Sequence, residues 1–154
     1  MYKTIKIGNE EYKLEYSFEA SLYGECVDAT MTIISKMSEG DTESTIKGMA
    51  DVPRTAVTLL YAGLLEHHGM EGDRRVPDLA TAKRLAKQYI LSLGEDGNFY
   101  DLLTLCIDQM GEDGFFKLTG LEAMMSPAEE VEVQTIPKVP QDHKKKTSRK
   151  TTEK

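Results

Sequence analysis

The chain has 154 residues, of which 40% are hydrophobic and 29% are charged, and its formal net charge is -7. These values are ordinary for a globular protein, and the length favours a single domain. No apolar run approaches the roughly 20 residues needed to cross a bilayer, and the start of the chain lacks an apolar signal segment, so we expect neither secretion nor membrane insertion.

The charge is unevenly distributed along the chain. Residues 1–125 carry 12 Lys and Arg against 21 Asp and Glu, whereas residues 126–154 carry seven against five. Apolar residues thin out after residue 126, and three prolines interrupt any regular element there: Pro127, Pro137 and Pro140. Such a segment buries too little apolar surface to offset the entropy of ordering it. The sequence therefore predicts a folded acidic body at 1–125 and a disordered polar, basic tail at 126–154.

Residues 2–16 predict a β-hairpin. Polar and apolar residues alternate on both sides of Gly8-Asn9, a pair typical of tight turns between strands. One face would carry Ile5, Ile7, Tyr12, Leu14 and Tyr16. Two strands alone are only marginally stable in water, so we expect this face to pack on helices.

After Ser17 the apolar period changes to threes and fours, which predicts a helix. Its stripe consists of Phe18, Leu22, Cys26, Ala29, Ile33 and Met37. Ser17 is a suitable N-cap, and Gly24 is a candidate kink. The helix should end near Gly40, before a polar stretch at 41–50 with at most a short helical turn.

Pro53 suits the first position of the next helix, where its missing N–H costs nothing. This helix is apolar on nearly all sides up to Gly69, which predicts that it is central. After a loop at 70–76, Pro77-Asp78 should open a third helix that closes at Gly94. Further helices should run from Asn98 to Met110, before a break at 111–114, and from Phe115 to about Met125.

The predicted fold is therefore α+β and mainly helical, with the N-terminal hairpin packed on a bundle of four or five helices.

Motifs that would indicate catalysis or metal binding are weak in this sequence. Gly-Glu-Asp-Gly occurs at 94–97 and 111–114, but neither copy has the distal Glu of a calcium loop, so both are interpreted as helix ends. His67 and His68 are adjacent on a helix and point about 100° apart, which does not suit a shared metal ion. We predict no enzyme activity, no metal and no cofactor.

The two cysteines, Cys26 and Cys106, lie in apolar, helix-like stretches and belong to no CxxC motif. Free buried thiols in a reducing compartment are the simpler interpretation, and a single disulfide between them is the alternative.

The basic end of the tail is the candidate contact for nucleic acid, because Lys and Arg neutralise phosphates. The residues concerned are Lys144, Lys145, Lys146, Arg149 and Lys150. No aromatic residue is interleaved with them, and the acidic body would repel a polyanion. A solubilising or linking tail is therefore favoured over a nucleic-acid-binding one.

The opening Ile5-Lys6-Ile7-Gly8-Asn9-Glu10-Glu11-Tyr12-Lys13-Leu14-Glu15-Tyr16 resembles the start of tail assembly chaperones of long-tailed phages and prophages of Gram-positive bacteria. Those proteins open on a short hairpin, continue as a helical body and end in a polar extension. The resemblance implies a non-catalytic factor in the host cytoplasm, absent from the mature virion. Its partners would be the tape measure protein and the tail tube protein, and a homo-oligomer is left open.

A chaperone for a long helical client needs an adaptable apolar surface, a role that methionine side chains suit. The candidate contact residues in the body are Met110, Phe115, Phe116, Met124 and Met125. The alternative for these residues is that they close the core. Two other functions stay open: a minor structural or connector protein of the virion, and an accessory protein that contacts nucleic acid through the basic tail.

Overall fold

The computed structural model describes residues 1–39 and 42–125, with side chains at 1–36 and 49–125. The two strands are β1 (Lys3–Ile7) and β2 (Glu10–Leu14). The helices are α1 (Phe18–Leu22), α2 (Gly24–Glu39), α3 (Thr42–His68), α4 (Leu79–Ser92), α5 (Phe99–Asp113), α6 (Phe115–Thr119) and α7 (Glu122–Met125). The prediction of a mainly helical α+β fold with an N-terminal hairpin is confirmed.

Strands β1 and β2 form an antiparallel hairpin in which Ile5 pairs with Tyr12 and Lys3 pairs with Leu14. The chain reverses at Gly8, whose φ of +64° lies in the left-handed region that glycine occupies without steric cost. The predicted inner face is confirmed, since Ile5, Ile7, Tyr12, Leu14 and Tyr16 are all buried.

The hairpin lies directly on the C-terminal half of α3. The backbone N–H of Glu15 donates to the carbonyl oxygen of Gly63 over 2.9 Å. The hydroxyl of Tyr16, which is fully buried, donates to the carbonyl oxygen of Leu59 over 2.8 Å. Because Gly63 has no side chain, Leu14 and Tyr16 pack against the helix backbone itself.

Helix α3 is the central element, as its sequence predicted, and it packs against α1, α2, α4, α5 and β2. The prediction that this helix begins at Pro53 is wrong, because α3 begins at Thr42 and contains Pro53 in its interior. A proline removes one helical hydrogen bond, whereas every other residue that joins the helix adds one. The segment before Pro53 therefore continues the helix instead of forming the predicted polar loop.

The predicted first helix is divided in two at Tyr23, whose extended backbone separates α1 from α2. This change of direction breaks the predicted stripe: Phe18 and Leu22 are exposed, whereas Cys26 is buried. The hydroxyl of Ser17 does not cap α1 but donates to the carboxylate of Glu66 over 2.8 Å. The same carboxylate also accepts the backbone N–H of Glu19. A side chain of α3 thus replaces the predicted cap.

The caps of the later helices follow the sequence closely. Asp78 caps α4 through the N–H of Thr81, and Asn98 and Asp101 form a reciprocal capping box at the start of α5. The predicted break at 111–114 occurs only at its last residue, since α5 continues to Asp113 and ends at Gly114 with φ of +71°. Gly120, whose φ of +78° also lies in the left-handed region, divides the predicted fifth helix into α6 and α7.

The predicted tail at 126–154 lies outside the described residues, so the division between body and tail stays a prediction. Within the described ranges, no helix combines the length and the apolar character that crossing a membrane requires.

Candidate functional site

The structure separates the five body residues that the sequence proposed as a contact surface. Met110 and Phe115 are fully buried, so the prediction that they belong to a contact surface is wrong. Both residues close the core instead. Phe115 packs edge-on against Tyr16, with ring centroids 5.9 Å apart. Phe116 is half-buried beside it, and Met124 and Met125 on α7 are about half exposed, at 47% and 49%.

The proposed basic contacts Lys144, Lys145, Lys146, Arg149 and Lys150 lie outside the described residues. Their role therefore stays a prediction.

A polar cluster connects the hairpin to the loop after α3. The Nε2 atom of the buried His68 accepts the backbone N–H of Lys13 over 2.8 Å, and its Nδ1 atom lies 2.9 Å from the carboxylate of Asp73. An accepting Nε2 requires the proton on Nδ1, which then donates to Asp73. Arg75 holds the same carboxylate over 2.9 Å and stacks on the ring of Tyr12.

This cluster has the composition of an acid–base pair but not the geometry. A general base needs a free ring nitrogen within reach of a substrate proton. In His68 both nitrogens have partners within the protein, and burial lowers the pKa of the ring despite the nearby carboxylate of Asp73. Its neighbour His67 contacts Glu15 over 2.6 Å. The two histidines therefore hold β2 and the segment after it against the end of α3.

The thiols of Cys26 and Cys106 are both buried and unpaired with each other, as the simpler interpretation predicted. Burial raises the pKa of each thiol to about 12. A nucleophilic cysteine has the opposite property, a lowered pKa and access to solvent. No group of three or more potential metal ligands among His, Cys, Asp and Glu occurs in the described part of the chain.

A groove of about 1010 Å³ opens between α2 and α4 and has α3 as its floor. We call it the interhelical groove. Its apolar lining consists of Tyr23, Ala29, Pro53, Val57, Leu79, Ala80 and Phe99. This volume is at the upper end of the range for small-molecule pockets.

The rims of the interhelical groove carry opposite charges. On the α2 side are Glu25 and Asp28, on the α4 side are Lys83, Arg84 and Lys87, and α3 contributes a further cation, Arg54. None of these six side chains forms an ion pair with another side chain among the residues described. The charges of the two rims thus do not reach across the groove to each other.

The interhelical groove is not predicted by the sequence, although the sequence contains part of the pattern that forms it. Lys83, Arg84 and Lys87 are spaced to share one face of a helix, and Glu25 and Asp28 are spaced likewise. Each set by itself is typical of a solvated helix face. Only the packing of α2 and α4 on α3 shows that the two sets face a common groove.

Comparison with known proteins found no matching family model, no matching curated protein and no matching solved structure.

Proposed function

We propose that this chain is an assembly chaperone of the phage tail type, which binds the tape measure protein and helps to recruit tail tube subunits. The observation that carries the proposal is the interhelical groove, an open apolar channel on an otherwise acidic helical body. Grooves of this kind bind the apolar face of amphipathic helices. The resemblance of the hairpin to those chaperones supplies the identity of the client.

The proposed action is binding without catalysis, in the host cytoplasm and outside the mature virion. The two thiols are buried with raised pKa values, and both nitrogens of His68 have partners within the protein. A nucleophile or a general base must be accessible to its substrate, whereas these groups are buried or already have partners. In the described body they therefore contribute to stability.

The interhelical groove, more than the residues first selected from the sequence, supports this function. Met110 and Phe115 are unavailable to a client because they are buried. Met124 and Met125 are accessible but lie on a helix of four residues, which presents a small surface. They would extend a contact, whereas the groove provides the concave surface that buries a client helix.

The test is co-expression of the full chain with the tape measure protein encoded nearby. We expect the two proteins to co-purify and the soluble fraction of the tape measure protein to rise several-fold over expression alone. Absence of both effects would contradict the proposal. Mass spectrometry of purified virions distinguishes the connector alternative, since a chaperone is absent from the finished particle and a connector is retained.

A DNA-binding assay across a range of salt concentrations tests the nucleic-acid alternative. Binding through about six basic contacts would weaken with a log–log slope near -5 as salt rises. Tight, salt-resistant and sequence-selective binding would replace the chaperone proposal with that of a nucleic-acid accessory protein.

A further inference from the structure

We infer that the interhelical groove binds an amphipathic helix whose apolar stripe has acidic residues along one side and basic residues along the other. The client's class rests on the proposed function, whereas the charge pattern rests on the groove alone. Such a helix would place its acidic side on α4 and its basic side on α2, so that the groove determines the direction in which the helix lies.

The dimensions of the interhelical groove suit a short length of helix. The α4 wall extends from Leu79 to Lys87, which spans about 12 Å at 1.5 Å per residue. At about 5.4 Å per turn, a wall of that length lies alongside about two turns of a client helix.

The floor and walls of the groove provide the contacts for an apolar stripe. Val57 lies on the floor, Ala29 and Ala80 lie on opposite walls, and Phe99 contributes an aromatic surface from the start of α5. Small residues on both walls allow a client backbone to approach closely. The client's apolar side chains, spaced at threes and fours, would then reach the floor.

The charges explain why the occupant needs two kinds of flank. Lys83 and Lys87 have no ion-pair partner among the described side chains, and the guanidinium of Arg84 contacts the hydroxyl of Thr81 at 3.3 Å. Asp28 on the opposite rim is likewise without a described cationic partner. A helix with one acidic flank and one basic flank pairs with both rims at once. A helix with flanks of a single sign meets one favourable rim and one repulsive rim.

The same charges argue against other occupants. A nucleic acid would bring phosphates close to Glu25 and Asp28 as well as to the α4 cations. A small apolar ligand would leave the charged side chains of both rims without partners. A polypeptide helix uses the floor and both rims together.

Three synthetic peptide helices, added to the full chain, test this inference. All three carry the same leucine stripe, and their flanks are Glu and Lys, Glu on both sides, or Lys on both sides. We expect the Glu/Lys peptide to bind about tenfold more tightly than either of the others at low salt, because it forms ion pairs on both rims. Equal affinities for the three peptides would overturn the inference.

Variants of the chain locate the binding. The double change Lys83→Glu and Lys87→Glu should weaken the Glu/Lys peptide about tenfold and strengthen the Lys/Lys peptide. Lys117→Glu, an exposed charge reversal on α6, is the matched control and should change neither affinity. Ala80→Trp should fill the groove and abolish binding of all three peptides. Circular dichroism confirms that each variant is folded, and retained binding by folded Ala80→Trp would contradict the inference.

The tape measure protein separates this inference from the proposed function. If it co-purifies with the wild-type chain and equally well with Ala80→Trp, the chaperone proposal stands and the groove is not the site. If it does not co-purify while the peptides keep their order of affinity, the groove binds such helices and the client has been wrongly assigned.

Discussion

Gly63 of α3 lies directly against Leu14 of β2, so closely that a β-carbon built on Gly63 would stand 2.5 Å from Cδ1 of Leu14. The same β-carbon would stand 2.7 Å from Cζ of Tyr16. Both side chains are fully buried in the core. The absence of a side chain at this one position of α3 therefore allows the hairpin to reach the helix.

The first prediction follows from this contact. Gly63→Ala should lower the free energy of unfolding by about 1–3 kcal/mol, since the added methyl overpacks the core by more than the helix gains in propensity. The matched control is Gly111→Ala in α5, where a β-carbon meets nothing within 4 Å. Alanine has the higher helix propensity, and Gly111 lies in the last turn of α5, so that change should raise stability by no more than about 0.5 kcal/mol. Urea denaturation measures both, and a stabilising Gly63→Ala would show that the hairpin does not lie as described.

The second prediction compares two neighbours on β2 that face in opposite directions. Leu14 is fully buried, so Leu14→Ala should cost about 2–5 kcal/mol. Lys13 is exposed, and Lys13→Ala retains the backbone N–H that His68 accepts, so its cost should stay below about 0.5 kcal/mol. Equal costs in chemical denaturation would mean that the hairpin packs through its other face.

The third prediction concerns pH. Burial lowers the pKa of His68 below its ordinary 6.5 in the folded chain, so the unfolded chain binds more protons as the pH falls below 6.5. The stability from neutral His68 is therefore fully present above pH 6.5 and is lost as the pH falls through the lowered pKa, by at most about 1.4 kcal/mol per pH unit. Arg75 also faces the ring, and Asp73, whose pKa is about 2, stays ionised throughout this window.

The measurement for this prediction is the free energy of unfolding between pH 7.0 and 5.5, for the wild type and for His68→Gln. Glutamine does not titrate, and His67 is present in both proteins, so the difference between the two profiles isolates His68. We expect the wild type to lose stability more steeply than the variant. Parallel profiles would mean that the ring does not hold Lys13 as a neutral acceptor.

The fourth prediction concerns the reactivity of the two thiols. Because burial raises the pKa of Cys26 and Cys106 to about 12, almost no thiolate is present at pH 8 in the folded chain. A thiol reagent should therefore label both cysteines at least a hundredfold more slowly in native buffer than in denaturant, where the ordinary pKa is near 8.5. Rapid labelling of either cysteine in the native chain would show that this part of the core opens readily.

Local patterns in the sequence determined much of the secondary structure. The period of two in residues 2–16 specified a hairpin and the correct inner face, because successive side chains on a strand point to opposite sides. Asn98 and Asp78 marked the beginnings of helices, since their side chains satisfy free backbone N–H groups within the next turn. Each of these signals acts over a few residues and can be identified without knowing the rest of the fold.

Predictions that required weighing one element against another were less successful. Pro53 is a local signal for a helix start, but α3 continues through it because the hydrogen bonds of the surrounding residues outweigh the one that proline removes. Phe18 has the right spacing for the stripe that contains Cys26, yet the backbone turn at Tyr23 directs it to solvent. Met110 has the chemistry of an adaptable surface residue, and the packing of α5 on α3 buries it.

The existence of the interhelical groove depends on the tertiary structure alone. Its acidic rim belongs to α2 and its basic rim to α4, and the loop after α3 and all of α3 separate them in the chain. Periodicity shows which face of each helix is polar, because that depends on the 3.6-residue repeat within one helix. Which two polar faces come to border the same groove depends on how both helices pack against a third, and no repeat within a single helix carries that information.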